Sequence, residues 1–414
     1  MENLVVTNIG QLITLEGLAA PRVGKALGEL AIIENAALIC QDGLINWTGK
    51  LADLPKLESC NVIDAKGSVV TPGLVDAHTH PVFAGTREQE YELKILGKTY
   101  QEIAASGGGI RSSVRRTRAA TEQDLLIESN QHIDLLLSHG TTTVEAKSGY
   151  GLSLNDELKS LRVIKEINQT GKVELVPTFL GAHEIPDEYR DNRDEYINLL
   201  IEKMIPAVAS EKLAEYCDIF CESHVFSINE SRKILTTAKN NGLKLRLHAD
   251  QLTLSGGAKL AAELGASTAD HLEHIDEEGI IALRQAQVMP VLLPGSVFHL
   301  GLKQYPPVRK MIEAGLPIVL ATDFNPGSSP TPSLPMIMSL ACTQMRMTPA
   351  EALTACTINA AYSLGRGEKI GSIVVGKQAD LVIFNCQDYR QIPYFFGTNL
   401  VNTVIKNGNV AYRR

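Results

Sequence analysis

The sequence of 414 residues has no surplus of basic charge, no cysteine pair and no long apolar run, and each absence removes a class of function. Lys and Arg number 39 against 47 Asp and Glu, a formal net charge of −8. The basic excess or stripe of a nucleic-acid or anionic-membrane binder is therefore missing. Its one basic cluster, Arg111 to Arg118 in IRSSVRRTR, is short and reads as a solvated helix face. The cysteines number 7, an odd count without a CxxC spacing, which gives neither a disulfide framework nor a structural zinc site. No stretch reaches the roughly 18 apolar residues of a membrane helix. The opening MENLVVTNIGQLITLEG lacks the basic and apolar regions of a secretory signal, so a cytoplasmic setting is expected. The run Gly107-Gly108-Gly109 lacks the lysine and spacing of a phosphate-binding loop, and reads instead as a mobile loop over a functional site.

What remains is ordinary globular material, 44% hydrophobic and 21% charged, long enough for a large domain with a smaller one attached. Residues 1–66 carry short apolar runs broken by Gly, Asn and Asp, and residues 361–414 return to that texture in GSIVVGKQADLVIFN and NTVIKNGNVAY. Both ends are expected to build one small β-sandwich domain. Between them, residues 67–360 alternate compact apolar runs with amphipathic segments. Candidate strands are 68–78, 141–148, 173–182, 217–223, 243–249, 268–274, 288–295 and 317–323. Segments such as EQDLLIESNQHIDLLLSHG and NDELKSLRVIKEINQTG separate them and stop at Gly. Eight strands in this rhythm predict a (β/α)8 barrel. An open doubly wound sheet has the same rhythm, but the Gly-rich dinucleotide fingerprint after the first strand is missing.

In such a barrel the functional groups gather at the C-terminal strand ends. Here those ends read DAHTH, GAH, HAD, ADHLEH and ATDFN. His78 and His80 stand two apart on an extended segment and so share a face. His248 and Asp323 can approach the same point from two other strands. Three neutral imidazoles and a carboxylate suit zinc, and iron also accepts imidazole-rich sites. Such an ion acidifies water and polarises a carbonyl. A proton carrier is then needed, and Asp323 and His271 are the candidates. Taken singly, any of these histidines would read as an ordinary hydrogen-bonded core residue.

Here a resemblance becomes specific. TPGLVDAHTHPVFAGTRE and GSIVVGKQADLVIF resemble the amidohydrolase superfamily. YELKILGKTYQEIAASGGGIRSSVRRTR, VEAKSGYGL, FLGAHEIP, LRLHADQL and ATDFNPGS resemble imidazolonepropionases within it, and the likeness spans essentially the whole chain. It implies hydrolytic opening of the imidazolone ring of 4-imidazolone-5-propanoate to N-formimidoyl-L-glutamate, a step of histidine degradation. It also implies one zinc or iron ion per chain on His78, His80, His248 and Asp323, a substrate with a carboxylate tail, and a homodimer. Arg87, Tyr150, His183, Gln251, Asn325, Gly327 and Ser328 become expected substrate contacts, with Arg87 offering a fork to the tail and His183 donating to the ring carbonyl or tail.

Two departures qualify the likeness. Many superfamily members carry a metal-bridging carboxylated lysine on the fourth strand, but CDIFCES has none, so one ion is expected; Lys147, on the second strand, reads as a paired charge. Some relatives carry Glu at the position of Gln251, and an amide cannot accept water's proton. Proton transfer is thus expected from Asp323 and His271, with Gln251 orienting substrate. Competing readings are a related cyclic amidase or nucleobase deaminase, a silent ligand-binding homologue, and a purely structural barrel. The full set of metal-type residues argues against the last two.

Overall fold

The computed structural model describes residues 3–56, 60–98, 102 and 107–414. Strands from the two ends of the chain meet in one mixed sheet: β1 (Leu4–Ile13), β2 (Ile32–Gln41), β3 (Leu44–Lys50), β4 (Asn61–Asp64), β5 (Val69–Pro72), β14 (Leu381–Phe384), β15 (Val401–Lys406) and β16 (Asn409–Arg413). They run in the order β16-β15-β14-β5-β1-β2-β3, with β4 also paired to β1. Period-two alternation sorts their side chains. Val70, Leu381, Ile383 and Ile405 turn into a small core of the sheet's own, while Val69, Val382, Phe384 and Val404 join the large core shared with the helices.

The remaining strands are β6 (Leu74–Thr79), β7 (Thr141–Lys147), β8 (Glu174–Ala182), β9 (Tyr216–Cys221), β10 (Lys244–Ala249), β11 (Thr268–His271), β12 (Met289–Leu292) and β13 (Val319–Leu320). All neighbouring pairs are parallel and follow chain order. Closure comes from a parallel bridge between Thr79 and Phe324, with the Asp323 N–H donating to the His78 carbonyl at 3.0 Å and the His80 N–H to the Phe324 carbonyl at 2.8 Å. This is the expected barrel, and the closing bonds lie among the expected site residues.

The helical segments begin where their caps predict. Thr121 and Asp124 form a capping box for Glu122–Ser138, Ser153 caps Leu154–Ile167, and Ser227 with Glu230 boxes Ile228–Asn240. One expected element divides. The run 68–78 is two strands, since Val69–Pro72 pairs with β1 and β14 while Leu74–Thr79 enters the barrel. The chain crosses between sheets at Gly73, where a Cβ would lie 2.2 Å from Thr142 Oγ1. Continuous burial on both sides of the Pro-Gly break hid the change of partner.

Candidate metal centre

His78 and His80 lie at the end of β6, His248 near the end of β10, His271 ends β11, and Asp323 follows β13. All five are buried, at 3% exposure or less. Among the described residues two overlapping sets of donor atoms lie within 4.8 Å: His78 with His80 and Asp323, and His78 with His248 and His271. His78 Nε2 stands 3.6 Å and His80 Nε2 3.4 Å from the same Asp323 oxygen. The four expected ligands are thus joined through His78, and His271 comes as near as they do, with its ring centroid 5.3 Å from that of His248.

The donor chemistry fits a divalent cation. His78 Nε2 is buried without a hydrogen-bond partner, while its Nδ1 lies 2.6 Å from Asp270 Oδ2. Buried polar atoms are rarely left orphaned, and a lone pair turned toward a carboxylate and other imidazoles suits a cation between them. Burial, with the Lys147 charge beside it, pushes the pKa of His78 well below the usual imidazole value, and burial likewise lowers that of His80. Both shifts favour the neutral ring, the form that binds metals. Burial would raise Asp323, but the His80 hydrogen bond and the His271 charge outweigh it and lower its pKa. His271 behaves differently: burial opposes its charge, yet Glu273, with Asp323 and Asp270, lifts its pKa. Its backbone has φ 79° and that of Leu272 φ 69°, both costly for non-glycine residues, and Asp323 has φ 53°.

A second group lies on the loops around this cluster. Tyr150 is buried, 6.1 Å centroid to centroid from His80 and 5.4 Å from His183; burial raises its phenol pKa, so it stays a donor. His183 is half-buried and stacked on His80 at 5.1 Å. Its Nδ1 lies 2.9 Å from the Gly149 carbonyl, which can only accept, so Nδ1 carries the proton. Its pKa is pushed well below normal by burial and by His80 and His248. The neutral ring therefore presents Nε2 as an acceptor, where the sequence reading had His183 donating.

Arg87 bonds Glu90 through Nε and Nη2 at 2.9 and 2.7 Å, and Glu90 also accepts the Gly109 N–H. Among the described residues Nη1 has no hydrogen-bond partner, and it packs against Gly327, where a Cβ would lie 2.1 Å away. Gly327 thus makes room for Arg87. Asn325 Oδ1 accepts the Gly327 and Ser328 N–H groups, each at 2.8 Å, and its Nδ2 donates to the Asp323 carbonyl at 2.6 Å and Ser328 Oγ at 2.8 Å. Its amide is fully engaged within the loop. Ser328 Oγ in turn lies 3.3 Å from Asp323 Oδ2. Gln251 is half-buried on the loop after β10, held by buried Glu222, which accepts the Leu252 N–H at 3.0 Å, and by Asp250, whose carboxylate caps Gly257–Leu264.

Several supports escaped the sequence reading. Glu157 accepts the N–H groups of Gly149, Gly151 and Leu152 at 3.1, 2.8 and 2.8 Å, fixing the turn that carries Tyr150. Arg118 grips the same turn through the Gly151 and Leu152 carbonyls at 2.6 and 2.9 Å, and Arg116 reaches the Thr86 carbonyl. The basic cluster therefore ties loops together and is more than a solvated face. The signal available was a helix, Ile110–Ala119, with Ser113, Val114 and Thr117 on one buried stripe.

The amidohydrolase family pattern matches residues 69–411. Imidazolonepropionase of Solibacter usitatus (strain Ellin6076) is 55% identical over 416 residues, covering 100% of both chains. That of Geobacillus thermodenitrificans (strain NG80-2) is 49% identical, covering 99% of this chain and 98% of its own. Among solved structures, 5-methylcytosine deaminase from Klebsiella pneumoniae, liganded with 5-fluorocytosine, aligns with a TM-score of 0.76 at 18% identity, covering 99% of this chain and 97% of its own. E. coli guanine deaminase aligns at 0.74 and 16%, covering 100% of each. At such identities the two deaminases share the fold alone. Matched from end to end at about half its positions, the chain belongs to the amidohydrolase family and, within it, to the imidazolonepropionases.

Proposed function

We propose that the mouth of the barrel divides the hydrolysis of 4-imidazolone-5-propanoate to N-formimidoyl-L-glutamate between a metal-holding end and a tail-holding end. The chain is a hydrolase of C–N bonds in a cyclic amide. The observation that carries the division is one continuous set of contacts: Ser328 touches Asp323, and the neighbouring Gly327 seats Arg87.

His78, His80, His248 and Asp323 hold one divalent cation per chain, of the zinc or iron class, favoured by neutral imidazoles and a carboxylate. Bound there, it supplies Lewis acidity toward water and the ring carbonyl. Water's oxygen bonds to the carbonyl carbon, the carbon–nitrogen bond breaks, and its electron pair goes to the ring nitrogen. Asp323 accepts the proton that water gives up, and His271, steadied by Glu273 at 3.4 Å, helps pass it to that nitrogen. The His183 acceptor reads a ring N–H. The Nη1 side of Arg87 and the Tyr150 hydroxyl take the propanoate. Gln251 orients the ring from its braced loop, and Asn325 acts as the brace of the Gly327–Ser328 turn. The cytoplasmic homodimer implied by the resemblance is tested by fractionation and sedimentation equilibrium.

The tail assignment is tested by assaying the acid and its neutral propanamide analogue with wild type and Arg87→Met. Losing a charged hydrogen-bonding partner in a buried pair costs about 2–4 kcal/mol, so kcat/KM for the acid should fall roughly thirtyfold or more. The variant should scarcely distinguish acid from amide. Equal preference for the acid in both proteins would refute the role of Arg87.

A further inference from the structure

The barrel wall beside the metal-type cluster holds charged side chains that the steps above leave unused. Lys147 ends β7 with 0% exposure. Its Nζ lies 2.8 Å from Glu145 Oε1, 2.6 Å from Asp218 Oδ2 and 3.8 Å from Asp270 Oδ2. Those two aspartate oxygens each have a second neighbour. Asp270 Oδ2 is 2.6 Å from His78 Nδ1, and Asp218 Oδ2 is 3.0 Å from His248 Nδ1, where the ring is close but not yet aligned for a hydrogen bond. Two arms thus leave one ammonium and end on two imidazoles. Asp218 sits on β9 and Asp270 on β11, on either side of β10 and its His248.

An imidazole with Nδ1 against a carboxylate keeps its proton there and turns the Nε2 lone pair outward. His78 has this arrangement, since its Nε2 is the buried atom without a partner. Three carboxylates around one point would repel each other in a dry interior unless a cation held them. Lys147 lies within 4 Å of all three, and buried Arg246 adds a second positive charge 3.8 Å from Glu145.

We infer that Lys147 is a positioning residue of the metal centre: by holding Asp270 and Asp218 on either side, it fixes the ring orientation and Nδ1–H tautomer of His78 and sets the carboxylate that Nδ1 of His248 faces. This rests on the reading that both histidines are ligands. It gives Lys147, on the second strand, a role outside the ligand set, unlike the carboxylated bridging lysine sought on the fourth.

The test measures zinc affinity of the purified full-length protein by competition with a chromophoric chelator, alongside imidazole 15N shifts of the zinc-loaded protein. Outer partners of metal-bound histidines typically contribute about 10–100-fold in affinity, and Lys147→Met should lose affinity in that range. Lys147→Arg, which keeps the charge, should recover part of it. Asp270→Asn should weaken zinc comparably, and combining it with Lys147→Met should cost much less than the product of the two, as expected for one connected unit. Should Lys147→Met fail to fold, Asp218→Asn and Asp270→Asn, which keep side-chain shape, decide the matter. Wild-type affinity and unchanged Nδ1–H signals in the folded variants would overturn the inference. The ligand reading is separated by His78→Ala and His248→Ala: if these still bind zinc stoichiometrically and tightly, the ligand assignment itself fails, whatever Lys147 does.

Discussion

The two ends of the barrel mouth are built differently. At the metal-type end, His78, His248 and His271 stand on strands whose neighbours are hydrogen-bonded on both sides, and their positions follow from the barrel register. At the proposed tail end, Arg87, Tyr150, His183 and Gly327 sit on loops, and each is set by a further group, near or far in the chain: Glu90, Glu157 with Arg118, the Gly149 carbonyl, and Asn325. Strands place chemistry directly, whereas loops place it only when separate braces remove their freedom. Damage to a brace should therefore impair substrate recognition and leave the metal content intact.

The largest effect of this kind is expected at Glu157. Glu157→Ala leaves three buried N–H groups without their acceptor, a cost of about 2–4 kcal/mol in stability. Denaturant unfolding should register that loss, and kcat/KM should fall about a hundredfold, as for a misplaced contact, while metal per chain stays at the wild-type value. Loss of metal in parallel would erase the distinction between the two ends. A smaller effect is predicted for Gly327→Ala. Its new Cβ displaces the flexible Arg87 tip, so KM should rise about tenfold with kcat nearly unchanged, a loss of binding alone. Steady-state kinetics that show only a fall in kcat would place Arg87 elsewhere in the reaction. Asn325→Ala should act least, because its turn keeps backbone closure between Asn325 and Ser329. We expect roughly 1–2 kcal/mol in stability and a few-fold loss of kcat as Ser328 loosens beside Asp323. An unchanged melting temperature would show that the four amide bonds brace nothing.

The same contrast explains what could be read from sequence. The barrel was legible because eight compact apolar runs alternate with capped amphipathic segments, and the metal-type residues because strand ends are identifiable before any contact is known. The crossing at Gly73 was not legible, since Val69–Pro72 and Leu74–Thr79 are equally buried on either side of it. Nor was the proton position on His183, which depends on a carbonyl 34 residues away. Asn325 looked like a contact because its motif resembles one, yet its donors and acceptor are used inside the turn. Lys147 read as a paired charge, which holds, but its partners Asp218 and Asp270 come from two other strands.

The proposed hydrolysis of the imidazolone ring depends on a metal held by the strand-borne histidines. Its most direct test follows loss of ultraviolet absorbance of freshly generated 4-imidazolone-5-propanoate with protein of known metal content, before and after chelation, and with His248→Ala. Turnover should vanish on chelation, return with zinc or iron, and be missing from the metal-poor variant. Full turnover by metal-free protein, or inertness of the fully metallated wild type toward this substrate, would contradict it.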